Sequence, residues 1–107
     1  MKTRGVLLTD TKAGSLELGS ITLPALGPSQ VLVKMAAASI NPSDLVFLKG
    51  RYGIQKKLPV IPGFEGSGTV VDSGSNFFAK WFLGKRVACR PLETGHGTWA
   101  EYMVTDF

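Results

Sequence analysis

The sequence predicts a mainly β domain, a small barrel or sandwich carrying one short helix. Three observations predict it. Short β-favouring runs recur throughout the 107 residues; 13 Gly and 6 Pro punctuate them; and a single stretch carries both helix-start and helix-stop signals. The length fits one domain and excludes a complete two-domain enzyme. A hydrophobic fraction of 44% suffices for a core without disulfides or a structural metal and argues against disorder.

Residues 3–8 and 16–22 read as two strands joined by a turn at residues 10–14, and a Pro/Gly loop follows at residues 23–28. From Gln30, Val31, Val33 and Met35 alternate with Leu32, Lys34 and Ala36. That alternation predicts a strand with one packed face, continuing toward Ile40. Asn41 then suits a helix cap, Pro42 the first helical position, and Asp44 the positive helix end. The predicted helix runs over residues 42–49 and closes at Gly50. Two prolines exclude regular helix or central strand over residues 58–63. Residues 67–73 form the clearest strand, ended by a Gly74-Ser75-Asn76 turn. Phe77, Phe78, Trp81 and Phe82 form an aromatic cluster that either covers the barrel or is a surface that meets another domain. Residues 86–90 and 98–105 complete a set of six or seven strands.

No apolar run approaches the roughly 18 residues of a membrane span, so no membrane partner is expected. Cys89 is the only cysteine and cannot form an internal disulfide. The apolar stretch after Met1-Lys-Thr-Arg-Gly5 is too short for a secretory signal, and a cytoplasmic protein is expected. Asn41-Pro42-Ser43 is no glycosylation acceptor, because Pro occupies the middle position. The formal charge of +4 comes in two loose groups, Lys49, Arg51, Lys56 and Lys57, then Lys80, Lys85, Arg86 and Arg90. They read as solvated loops. The aromatics Tyr52, Trp81 and Trp99 are not regularly interleaved with them, so nucleic acid is not an expected partner.

Two glycine patterns need weighing. Gly95-His96-Gly97-Thr98-Trp99-Ala100 matches a dinucleotide fingerprint in letters only, since the residues after Ala100 look like strand rather than helix. Gly63-Phe64-Glu65-Gly66-Ser67-Gly68-Thr69-Val70 leads into a strand and reads as a corner where backbones approach closely. Glu65 there is expected to be exposed or held by a basic partner.

Six blocks carry a family resemblance in order. They are Asn41-Pro-Ser-Asp44, Gly50-Arg-Tyr52-Gly53, Leu58-Pro59, Gly63-Phe-Glu65-Gly-Ser-Gly68-Thr-Val70, Gly84-Lys-Arg-Val87 and Gly97-Thr-Trp-Ala-Glu-Tyr102. The series resembles the N-terminal, GroES-like half of medium-chain dehydrogenases/reductases, in the quinone oxidoreductase and enoyl thioester reductase branches. The resemblance implies a GroES-like, partly open β-barrel spanning residues 1–107. It also implies that the nucleotide-binding Rossmann domain is absent from this chain, which alone turns over slowly or not at all. The implied activity is reduction of a quinone or an α,β-unsaturated carbonyl or enoyl thioester, with NADP or NAD as cofactor and a homodimer at full length. A non-catalytic β-barrel binding module is the alternative.

The resemblance also bears on metal. Zinc-dependent members place a Cys ligand where Asn41 stands and a His ligand where Phe64 stands, so no zinc is expected here. His96 alone cannot make a zinc site. Without metal, a hydrogen-bond donor must stabilise the oxyanion left by hydride addition. By resemblance Tyr52 is the proton donor and substrate contact, and Asn41 lies by nicotinamide and substrate. Residue chemistry alone leaves Tyr52 open as a packed loop anchor, and Asn41 and Asp44 as helix-capping groups.

Overall fold

The computed structural model describes residues 1–12, 15–50, 56–93 and 95–107. Within them the elements run β1 (Lys2–Asp10), β2 (Ser15–Thr22), β3 (Gln30–Ala38), α1 (Pro42–Leu48), β4 (Gly66–Ser73), α2 (Phe77–Trp81), β5 (Arg86–Cys89) and β6 (Tyr102–Asp106). The chain is mainly β, as its pattern predicts. β1 and β2 pair as an antiparallel hairpin, and the other strands form a four-stranded sheet in the order β5-β4-β3-β6. All pairings are antiparallel. The sheets do not close into a continuous barrel. Single bridges, Gly5 to Ala100 and Leu8 to Val60, tie the hairpin to the rest.

β3 is the centre of the fold, and it departs from its predicted single packed face. Val31, Leu32 and Val33 are all buried. Val31 and Val33 pack with Val70 and Ala79, whereas Leu32 packs with Leu23 and Val104. Successive side chains of a strand point to opposite faces. Both faces are covered here because α2 lies over one and the segment around Leu23 over the other.

Two further differences concern element type. A second helix, α2, occupies the aromatic cluster where the sequence predicts none. Asn76 caps it, its Oδ1 accepting the Phe78 N–H at 2.8 Å, and Ala79 is buried beneath it. The aromatics point toward strand by propensity; a capping side chain and one buried alanine outweigh that here. The last strand starts at Tyr102 rather than residue 98. Residues 97–99 are instead bonded to the proline loop, through Gly97 N to Ile61 O and Trp99 N to Pro62 O at 2.7 and 3.1 Å. A strand follows Ala100, not a helix, so the Gly95–Ala100 letters hold no dinucleotide turn.

The glycine corner is as its spacing implies. Gly63 has φ of +105°, a left-handed region that favours glycine. A Cβ on Gly66 would lie 2.7 Å from the Ala37 carbonyl oxygen, so β4 enters the sheet with its backbone pressed against β3. This crowding brings the residue before it, Glu65, beside the end of β3.

Candidate functional site

The candidate site forms where the end of β3, the start of α1 and the glycine corner meet. Asn41 is the N-cap residue of α1, with extended backbone at φ −108° and ψ 162°. Asp44 Oδ2 accepts the Asn41 N–H at 2.7 Å, one half of a capping box. The sequence gives Asp44 only this capping role, but its carboxyl is fully buried. Its Oδ1 has no hydrogen-bond partner among the described residues. The positive end of α1 and the Asn41 N–H offset part of the cost of burying that group.

The Asn41 side chain faces the other way. Its Nδ2 donates to Ser39 Oγ at 3.2 Å and to Glu65 Oε2 at 3.1 Å. Ser39 Oγ donates to the same Glu65 oxygen at 3.5 Å, and Ser39 O accepts the Trp99 Nε1–H at 3.1 Å. An amide nitrogen has two protons, and both are committed to this network. Glu65 is exposed, as one of its two expected settings requires, and its partners are an amide and a hydroxyl. Sequence spacing gave no hint of this junction, because its members lie 24 to 26 residues apart and meet only across the sheet.

Next to Asn41 lies a cavity of about 420 Å³, bordered by Ser43, Lys56, Phe64, Glu65 and Leu92. That volume is within the usual range for small-ligand sites. A larger hollow of about 570 Å³ opens among Val31, Val70, Phe82, Cys89 and Phe107, but Asn41 and Glu65 take no part in it. Phe64 packs edge-on against Phe47, with ring centroids 5.4 Å apart. A phenyl ring and a carboxamide stand at Phe64 and Asn41, the two positions to which the resemblance assigns the ligands of zinc-dependent members, and neither group is a zinc ligand. The residues present do not fit zinc.

Lys56 was not singled out for the site by its sequence setting. Its Nζ donates to Gly95 O at 2.6 Å and Leu92 O at 3.3 Å, fastening the loop that forms one cavity wall. Burial lowers its pKa from 10.5 to about 8. The unfolded chain keeps this proton up to about pH 10.5, while the folded chain releases it near 8. Between those values the unfolded state binds more protons, so stability rises with pH across that window. The slope is shallow, because the ammonium is only partly buried. Thermal melting of wild type and Lys56→Met across this range checks it: the variant is expected to lose the upward slope, and an identical slope would reject the assignment. His96 lies beside this loop. Its Nδ1 accepts the Ile61 N–H at 3.2 Å, and burial, then the Lys56 charge, lowers its pKa. Its role is to fix the loop, as its Gly-flanked setting suggests. Tyr52, the predicted proton donor, lies outside the described residues.

Comparison with known proteins decides the family. The sequence profile of the alcohol dehydrogenase GroES-like domain matches residues 27–107. The chain belongs to that family. This GroES-like domain superposes on an assigned NADPH:quinone reductase from Mesorhizobium loti with a TM-score of 0.87 and 41% identity, covering 98% of this chain and 34% of that one. It is 41% identical over 88 residues to the mitochondrial enoyl-[acyl-carrier-protein] reductase of Bos taurus, covering 78% of this chain and 22% of the relative. A zinc-type alcohol dehydrogenase-like protein of Schizosaccharomyces pombe is 45% identical over 51 residues, 48% of this chain and 15% of the relative. The GroES-like domain therefore spans about a fifth to a third of the first two relatives.

Proposed function

We propose that this chain is the substrate-side domain of a zinc-independent, NAD(P)H-dependent oxidoreductase acting on a quinone or an α,β-unsaturated carbonyl or enoyl thioester. The observation that carries the reading is the Asn41–Ser39–Glu65 junction beside the 420 Å³ cavity, in a domain similar to reductases of both kinds. The domain is taken to cover residues 1–107, because β1 is bonded to residues 99–101 through Val6 N to Trp99 O and Glu101 N to Arg4 O. The nucleotide-binding domain, and the homodimer expected at full length, belong to a longer protein.

Among the described residues no glycine-rich turn leads from a strand into a helix, so these residues fit at most the nicotinamide end of the cofactor. The bound nicotinamide supplies the hydride. Asn41, held rigid by Ser39 and Glu65, fixes one wall against which nicotinamide and substrate are oriented. Phe64 and Leu92 line the cavity with apolar surface and help to exclude water from the acceptor. Because both Nδ2 protons of Asn41 are engaged, the group that protonates or stabilises the developing oxyanion must be another. Tyr52 is that group in this reading.

The test is an assay of the full-length protein with NADPH and NADH against quinones and enoyl thioesters, followed by cofactor oxidation. Oxidation that depends on both substrates supports the proposal; none with any acceptor overturns it. Elemental analysis of the active protein is expected to find no stoichiometric zinc, and one zinc per chain would refute the metal-free site.

A further inference from the structure

The cavity beside Asn41 holds a half-buried cation whose charge has no structural task. Lys56 Nζ donates to Gly95 O at 2.6 Å and to Leu92 O at 3.3 Å. These two carbonyls hold the nitrogen at the cavity wall, where Phe64 is a second lining residue. The Phe64 ring centroid lies 5.9 Å from the same nitrogen. A lysine on a free, solvated stem offers a roaming charge; this one is fixed in place.

An ammonium carries three protons, and the two carbonyls take two of them. A neutral amine keeps two N–H bonds, so holding both carbonyls requires no charge. The third proton and the charge are surplus to that task. Burial pushes the Lys56 pKa down, and no carboxylate among the described residues opposes the shift. An ammonium partly removed from water without a counter-ion attracts negative charge that enters its cavity. The other charged groups at the cavity are Glu65, Arg90 and Glu93, and the His96 ring lies within reach of the Lys56 charge.

We propose that Lys56 is a catalytic residue of the reduction, its third N–H and its charge stabilising the oxyanion that forms on the substrate carbonyl beside Tyr52. The inference rests on the reductase reading of this cavity. Hydride addition from the bound nicotinamide forms a C–H bond at the β-carbon of an enone or enoyl thioester. The π pair of the C=C bond shifts toward the carbonyl, whose oxygen takes one negative charge. On a quinone the same charge sits on a phenolate oxygen. One proton, from Tyr52 in that reading, completes the reduced product, and the cofactor is left oxidised. Lys56 keeps all its protons and holds the oxyanion while the charge exists.

The test is the pH dependence of kcat/KM for the full-length protein, wild type against Lys56→Met and Lys56→Arg, with the acceptor that wild type reduces best. Wild-type kcat/KM is expected to fall as pH rises through about 8, where the ammonium loses its charge. A role confined to holding the Leu92 and Gly95 carbonyls produces no such fall, since the neutral amine still serves both. On the acid side of that point, Lys56→Met is expected to lower kcat about 10²-fold, the scale of one lost oxyanion donor. It should also lack the fall. Lys56→Arg keeps its charge to roughly pH 12, so it is expected to recover part of the loss and to show no fall near 8. Glu65, Arg90, Glu93 and His96 are unchanged in both variants, so any fall they cause persists there. With an active wild type, two results overturn this inference alone. One is wild-type kcat/KM that stays level through this range, which a carboxylate from the rest of the protein pairing with Lys56 would also give. The other is a fall that persists unchanged in Lys56→Met. A wild type that oxidises no reduced nicotinamide with any acceptor overturns the reductase reading, and this inference with it.

Discussion

Tyr52→Phe is expected to lower turnover of the full-length enzyme by about 10²–10⁴-fold, the usual scale for loss of a positioned proton donor. Phe keeps the ring and removes only the hydroxyl, so packing is conserved and the deficit isolates proton donation. The loss should fall on kcat and kcat/KM together, because the hydroxyl is needed where negative charge develops. The argument has two supports. Gly50-Arg51-Tyr52-Gly53 resembles the block that carries the donor in enoyl thioester reductases. In addition, Ser39 and Glu65 accept both Nδ2 protons of Asn41, which leaves that amide no proton to donate to substrate. Steady-state kinetics with wild-type turnover in the variant would remove Tyr52 from the mechanism.

Gly68→Ala is expected to lower stability by about 3 kcal/mol, at the upper end of overpacking effects. A Cβ on Gly68 would run into the Lys34 carbonyl oxygen and lie 2.8 Å from Val33 Cγ1. Both obstacles belong to β3, and one is backbone, so no side-chain rotation relieves the clash. Pushing the strands apart would disturb the pairing of Met35 with Gly68 and the cluster of Val31, Val33 and Val70. Gly84→Ala supplies the contrast. Gly84 has φ of +80° but nothing within 4 Å of its would-be Cβ. It should cost only the left-handed penalty, about 1–2 kcal/mol. Urea midpoints measure both; equal losses would mean that the close approach of β3 and β4 is not a stability determinant.

Local signals were legible where neighbours in sequence create them. Asn41, Pro42 and Asp44 mark the start of α1 within four residues, and that helix lies where they place it. Gly63, Gly66 and Gly68 announced a crowded corner because only glycine tolerates it. The same locality misread the segment 77–81. Gly74-Ser75-Asn76 reads locally as a turn and the aromatics after it as a cluster, and the buried seat for Ala79 exists only once β3 and β4 are paired. Asp44 could be read as a cap but not as a buried carboxylate, since burial is conferred by elements distant in sequence.

By itself, then, the sequence determined the mainly β class, the place of α1 and the glycine corner. Each of these follows from residue type or from partners a few positions away. Tertiary structure alone decided that Glu65 and Ser39 grip Asn41, that Lys56 holds the carbonyls of Leu92 and Gly95, and that the aromatics of α2 face outward. Those facts depend on strands and loops converging from 24 to 39 residues apart, or on which face of a helix the sheet leaves open. No local pattern encodes either.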